Sequence, residues 1–200
     1  MSSRLVQPLS INALRKTAQE RLLKSPPREA FDPDHLPALG DHRLAENLAP
    51  ADGRLHRPAA VLVPIIARDQ GATLLLTERS KALKDHAGQI AFPGGKIDAL
   101  DQDARAAALR EAEEEIGLQQ KFVEDLGYLD PYLSSTGYRI IPLVALVTSG
   151  FSLTLDPREV ESIFEVPLDF LMDPAHHEIH EREWRGAQRR YFAMPYEERY

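Results

Sequence analysis

Two apolar runs, Ala59–Ala67 and Ile140–Val147, dominate the hydrophobic pattern of the chain. Both are rich in Val, Ile and Leu and predict buried strands. Asp69-Gln70-Gly71 is a turn signal and Ala72–Thr77 a second strand, so this stretch predicts a hairpin. Ala104–Ile116 carries strong helix formers throughout, with Asp101 or Asp103 as its cap and Gly117 as its stop. Phe122–Leu129 and Arg190–Met194 predict further strands. Glu159–Phe164 and Leu168–Met172 predict short helical pieces separated by Pro167. Strands and helices mix without regular alternation, which predicts an α+β fold with a mixed sheet flanked by helices.

The pattern changes near residue 57. Ser10 is an expected N-cap, followed by Ile11, Leu14, Ala18 and Leu22 at helical spacing until Ser25-Pro26-Pro27 stops the run. Residues 25–57 show no sustained period and predict a long irregular connection that wraps the domain or moves freely. The expected organisation is an N-terminal extension over 1–57 and a compact domain over 58–200, with no internal repeat.

Composition narrows the function classes. The 200 residues are 43% hydrophobic and 28% charged, as in a globular chain. With 24 Lys+Arg against 31 Asp+Glu the net charge is −7, which argues against general binding to nucleic acid or anionic lipid. The chain has no Cys, excluding disulfides, thiolate-held metals and thiol catalysis. Neither apolar run approaches the roughly 18 residues of a membrane span. MSSRLVQPLS has no apolar stretch of a secretory signal. A soluble, cytoplasmic protein is expected.

The candidate chemistry sits on the helix around residue 110. In Arg110-Glu111-Ala112-Glu113-Glu114-Glu115, spacings of three and four residues place Glu111, Glu114 and Glu115 on one helical face, where like charges repel. A charge run of this kind is ordinarily a solvated face. Here Phe92-Pro93-Gly94-Gly95 lies just upstream, and paired glycines permit close backbone approach to a ligand. Hard cations such as Mg²⁺ or Mn²⁺ take carboxylate oxygens, and Arg110 could hold one carboxylate in its ligating rotamer.

Gly95 followed by Arg110-Glu111-Ala112-Glu113-Glu114-Glu115-Ile116-Gly117-Leu118 resembles the Nudix box, G-x5-E-x7-R-E-U-x-E-E-x-G-U with U apolar. The second half matches at every fixed position. Asp101 stands where the family has Glu, and the span from Gly95 to Arg110 is one residue longer, so Asp101 is assigned to helix capping instead. Leu75-Leu76-Thr77-Glu78-Arg79-Ser80, Gly88 and Phe92-Pro93-Gly94-Gly95 resemble the LLTxRSxxxRxxxGxxxFPGG motif of Nudix coenzyme A pyrophosphatases, with Lys84 in place of the second Arg. Later stretches, among them Gly137–Pro142 and Tyr191–Tyr196, are similar to the same subgroup. Members continue into a further strand and helix where this sequence ends at Tyr200, so a packing element is expected to lie outside it or to differ.

The resemblance implies a Nudix α/β/α sandwich with a loop–helix–loop box. It implies an enzyme that uses Mg²⁺ or Mn²⁺ to hydrolyse the diphosphate of coenzyme A or a derivative to 3′,5′-ADP and 4′-phosphopantetheine. Hydrolysis of another nucleoside diphosphate, such as ADP-ribose or NADH, is the alternative, and a non-catalytic Nudix-fold binding module the second. Glu111 and Glu115 are the expected metal ligands. Glu114 is a further ligand or positions the water, and Arg110 supports the ligands. Glu159 is the expected general base, chosen over Glu161. Arg79, Lys84, Gly94 and Gly95 are the expected substrate contacts. The partner is a small molecule; members are often homodimers, and no feature of this sequence indicates one. His86 is expected on the surface, and a metal role for His176 and His180 would need both on one helix. Arg185, Arg189 and Arg190 near Trp184 are expected to be a solvated edge, with Tyr191 and Phe192 packed on the sheet.

Overall fold

The structure is a computed structural model that describes residues 10–32, 34–43, 57–184 and 187–199. The expected boundary near residue 57 adjoins 44–56, which lie outside the described residues, as do Arg185 and Tyr200.

The two apolar runs lie side by side at the centre. Strand β2 (Arg57–Arg68) pairs in parallel with β8 (Tyr138–Val147) from Arg57↔Tyr138 to Ile66↔Val147. A parallel central pair is covered on both faces, which is why each run is apolar at consecutive positions. Ala60, Leu62 and Ile66 join Ile141, Leu143, Ala145 and Val147 against helix α2 (Ala104–Ile116). Val63 and Ile65 with Val144 and Leu146 turn the other way, toward α1 (Ile11–Arg21) and α3 (Leu168–Met172). The result is three layers: helix, mixed sheet, helices.

The predicted hairpin forms, with β2 antiparallel to β3 (Gly71–Arg79) around the turn at Asp69-Gln70. Beyond it come β4 (Ile90–Ala91) on β3 and β5 (Gly94–Lys96) on β2. On the other side, β6 (Val123–Tyr128) and β7 (Tyr132–Leu133) pair with β8. The expected first helix is present, capped by Ser10, whose Oγ accepts from the Ala13 N–H. Arg15 pins it to β6 through a two-pronged pair with Glu124, at 3.0 and 2.7 Å.

The described part of the connection after α1 wraps the domain. Strand β1 (Leu39–Gly40) pairs in parallel with β7. Arg139, only 1% exposed, donates to the carbonyls of Ala30, Asp32 and His35 and holds this strap against the start of β8. The Asp41 carboxylate closes the far end on Tyr132 Oη and the Ser135 N–H.

The sequence expectation fails at Glu159–Phe164, which is not helical. Strand β9 (Val160–Pro167) runs antiparallel to β3, with Leu76↔Phe164 and Thr77↔Ile163. Val160, Ile163 and Phe164 are strand formers, and Arg68 and Thr73 take up the following Glu165. Leu168–Met172 is helical as expected. A charged segment with no apolar alternation, β10 (Glu178–Trp184), pairs with β11 (Ala187–Ala193) as a separate two-stranded ribbon. No helix among the described residues is long and apolar enough to cross a membrane.

Candidate active site

Helix α2 begins and ends where its sequence dictates. Asp103, not Asp101, caps it, its carboxylate accepting the Ala106 N–H at 2.8 Å. Gly117 ends it in the left-handed conformation, φ 69°. Buried Ala104, Ala107, Ala108 and Ala112 let the helix approach the sheet closely. The same side, through Glu111 and Glu115, meets β5.

Both glycines of β5 are there because nothing larger fits. A Cβ on Gly94 would lie 2.4 Å from the Ala60 carbonyl oxygen and 2.6 Å from Val61 Cα. One on Gly95 would lie 2.5 Å from the Glu111 carboxyl carbon. The absent side chains leave a cradle in which the backbone touches carboxylates directly: Gly94 N–H donates to Glu115 Oε2 at 3.1 Å.

The three glutamates are not equivalent. The Glu115 side chain is 4% exposed and that of Glu111 17%, whereas Glu114 is 61% exposed. Burial pushes the Glu115 carboxyl up to about 7, reinforced by the charges of Glu111 and Glu159 and opposed by the Gly94 N–H and Arg79. Burial likewise raises Glu111; Arg110 opposes the rise, and Glu114 and Glu159 add to it. Glu159 therefore stands within electrostatic reach of both buried carboxylates, on a turn tied to them from two sides. Ser80 N–H donates to its carbonyl at 2.8 Å, and Asp156 N–H donates to the Glu115 carbonyl at 2.9 Å.

Arg110 gathers the acids of the box. Its fork is bidentate to Asp101, Nε to Oδ1 and Nη2 to Oδ2, both at 2.9 Å. Nη1 donates to Glu111 Oε1 and Glu114 Oε2, each at 3.0 Å, and Nη2 to the Lys96 carbonyl at 3.2 Å. Asp101, expected as a cap, is thus the partner of Arg110, which holds its carboxyl below the usual range. The available signal was its place at the position where the box pattern carries an acid.

Arg79, at the end of β3, points its Nη1 at Glu115 Oε1, 3.6 Å away. Its Nε is buried and has no hydrogen-bond partner among the described residues. Lys84 is not brought to this cluster; it is exposed on the turn between β3 and β4 and has no hydrogen bond or ion pair with a described residue. His86 is exposed, with Nδ1 2.8 Å from Gln89 Oε1. His176 and His180 share no helix: the first lies on a 3₁₀ turn beside the Phe170 carbonyl and the second on β10 beside Glu178.

The donor set suits a hard divalent cation. Among the described residues no three acidic or His side chains already converge on a metal-holding arrangement, because Arg110 engages Glu111 and Glu114. Yet Glu111 and Glu115 are desolvated carboxylates whose burial and acidic neighbours favour protonation, and a cation relieves that. Gly95 leaves space at the Glu111 carboxylate that any side chain would fill.

The chain is similar to known proteins of one family. The family model described as NUDIX domain matches residues 56–189. A protein of Photorhabdus laumondii named "Uncharacterized Nudix hydrolase NudL" is 44% identical over 160 residues, covering 78% of this chain and 85% of its own. A protein of the same name from Escherichia coli K12 is 50% identical over 113 residues, 56% of this chain and 58% of its own. The crystal structure of a Nudix hydrolase from M. smegmatis, RenU, is similar with a TM-score of 0.49 at 22% identity, covering 57% of this chain and 72% of that one.

Proposed function

The chain belongs to the Nudix hydrolase family, and from that premise we propose that it hydrolyses the diphosphate bond of coenzyme A or a derivative with a divalent cation, Mg²⁺ or Mn²⁺. The observation that supports this substrate is the folding of the upstream motif. Leu75–Ser80 and Phe92-Pro93-Gly94-Gly95 end at the same carboxylates, with Arg79 3.6 Å from Glu115 and the Gly94 N–H 3.1 Å from it.

Glu111 and Glu115 would hold the cation, and Glu114 would join them or position water when it leaves Arg110. When bound, the cation neutralises diphosphate oxygens and lowers the pKa of the attacking water. The residues of the chain do the rest. Gly94 and Gly95 admit the diphosphate against the backbone. Arg79 offers a planar fork to a phosphate oxygen, and Lys84, exposed on the turn after β3 and outside this cluster, would offer a second charge to a more distant part of the substrate. Glu159 takes the proton of the water as its oxygen bonds to phosphorus and the bridging P–O bond breaks. Arg110, fixed by Asp101, keeps Glu111 in place. The protein works on a small molecule in the cytoplasm.

Purified protein would be incubated with coenzyme A, acyl-coenzyme A, ADP-ribose and NADH, each with Mg²⁺, Mn²⁺ or EDTA, and the products read by mass spectrometry. Metal-dependent 3′,5′-ADP from the coenzyme A substrates alone is the expected result. Turnover of ADP-ribose or NADH in their place would overturn the substrate and keep the glutamate chemistry. No turnover of any would favour a binding module.

A further inference from the structure

The β10–β11 ribbon does not behave as its sequence suggests. Phe192, expected to pack on the sheet, is 57% exposed, and its cross-strand partner Ile179 is 64% exposed. Two-stranded ribbons are marginal in water without a face to bury. Cross-strand alternation sets Arg190 on the same face as Ile179 and Phe192, since Glu181↔Arg190 lies two positions along from Ile179↔Phe192. Opposite them stands Arg43, at the end of the strap. Arg43, Ile179, Arg190, Tyr191 and Phe192 line a cavity of about 250 Å³.

This cavity carries cations in an otherwise acidic protein. Glu181 takes the Nε edge of Arg190 at 2.7 Å and fixes the guanidinium across the strand pair. The Nη nitrogens of Arg190 have no acceptor among the described residues. Arg43 uses Nη1 on the Ala38 carbonyl at 3.0 Å and is otherwise exposed. Two guanidinium groups suit a phosphate, and an exposed phenyl ring suits a stacked base. The volume accommodates one ring system with a phosphate. The cavity is also apart from the glutamate cradle. None of the residues that line it belongs to that cradle.

We infer that the cavity between Arg43 and the β10–β11 ribbon binds a nucleotide-like ligand, an aromatic ring bearing a phosphate, with Phe192 under the ring and Arg43 and Arg190 on the anion. The inference does not depend on coenzyme A being the substrate.

Calorimetric titration of the full chain with adenosine 5′-monophosphate in EDTA tests it. Intrinsic fluorescence of Trp184, the single Trp of the chain, gives a second readout. One saturable site is expected. Phe192→Ala and Arg190→Gln should each weaken it roughly tenfold or more, and Phe192→Leu, which keeps the apolar bulk, should weaken it nearly as much as Phe192→Ala. Glu115→Gln should leave it unchanged, and inorganic phosphate alone should bind at least tenfold more weakly. Absence of saturable binding overturns the inference. So does binding that survives the ribbon variants, or that Glu115→Gln alters. A chain that sediments as a dimer, dissociates on Phe192→Ala and binds no nucleotide would assign the face to a second copy instead.

Discussion

Arg110 fastens a loop to α2 and Arg139 fastens one to the sheet, and their surroundings are opposite. Arg110 is partly exposed and meets carboxylates: Asp101 twice, Glu111 and Glu114 once each, with Asp98 at 3.8 Å. Arg139 is buried and meets the carbonyls of Ala30, Asp32 and His35. The acids raise the pKa of the first guanidinium, and burial lowers that of the second. Arg110 and Arg79 together do not neutralise Asp101, Glu111, Glu114, Glu115 and Glu159, so that region stays electrically unsatisfied and prepared for a further cation. The Arg139 region uses its charge to order a strap.

The difference should appear first in Glu115→Gln. Removing this carboxylate should lower turnover at saturating Mg²⁺ by on the order of 10²–10³-fold with the fold intact. Near-normal turnover would show that the buried acids serve structure after all. Arg139→Met should do the reverse. Unpairing three carbonyls of the strap should cost about 2–4 kcal/mol and lower the Tm by roughly 10 °C, while kcat per folded molecule stays within a factor of two or so. A strong loss of kcat at full folding would join the strap to the chemistry.

Glu159→Gln sharpens the same contrast inside the acid cluster. A general base contributes at least about tenfold, so a smaller slowing in a steady-state assay would leave Glu159 as one more charge on Glu111 and Glu115. The smallest effect concerns pH. Glu115 sits at about 7 in the folded protein, above the ordinary carboxylate value near 4.3. Between those values the folded chain holds a proton that the unfolded chain has released, so metal-free protein loses stability as pH rises through this window. The loss should be on the order of 1–3 kcal/mol by denaturant titration, relative to Glu115→Gln, and should shrink when Mg²⁺ is added. Parallel profiles for the two proteins would remove the desolvation argument.

Most of what surrounds α2 was legible because it is local. The helix spans Ala104–Ile116 as predicted, since cap, alanines and terminal glycine lie within one continuous segment. The apolar runs became β2 and β8 for the same reason. Glu159–Phe164 was misread because three nearby glutamates suggest a solvated helix, and only pairing with β3 buries Val160 and makes it a strand. Phe192 was misplaced because its apolar character predicts burial, while the ribbon it belongs to forms a sheet of its own.

By itself the sequence determined that a capped helix would carry Glu111, Glu114 and Glu115 shortly after a double glycine, because spacing along a helix and its caps are set by neighbours in the chain. The tertiary structure decided which of those acids are buried. It brought Asp101 to Arg110, Arg79 to Glu115 and Glu159 within reach of both buried carboxylates. Burial and charge coupling depend on what the sheet delivers from distant segments, and only closure of the sheet around α2 desolvates Glu111 and Glu115 while leaving Glu114 in water.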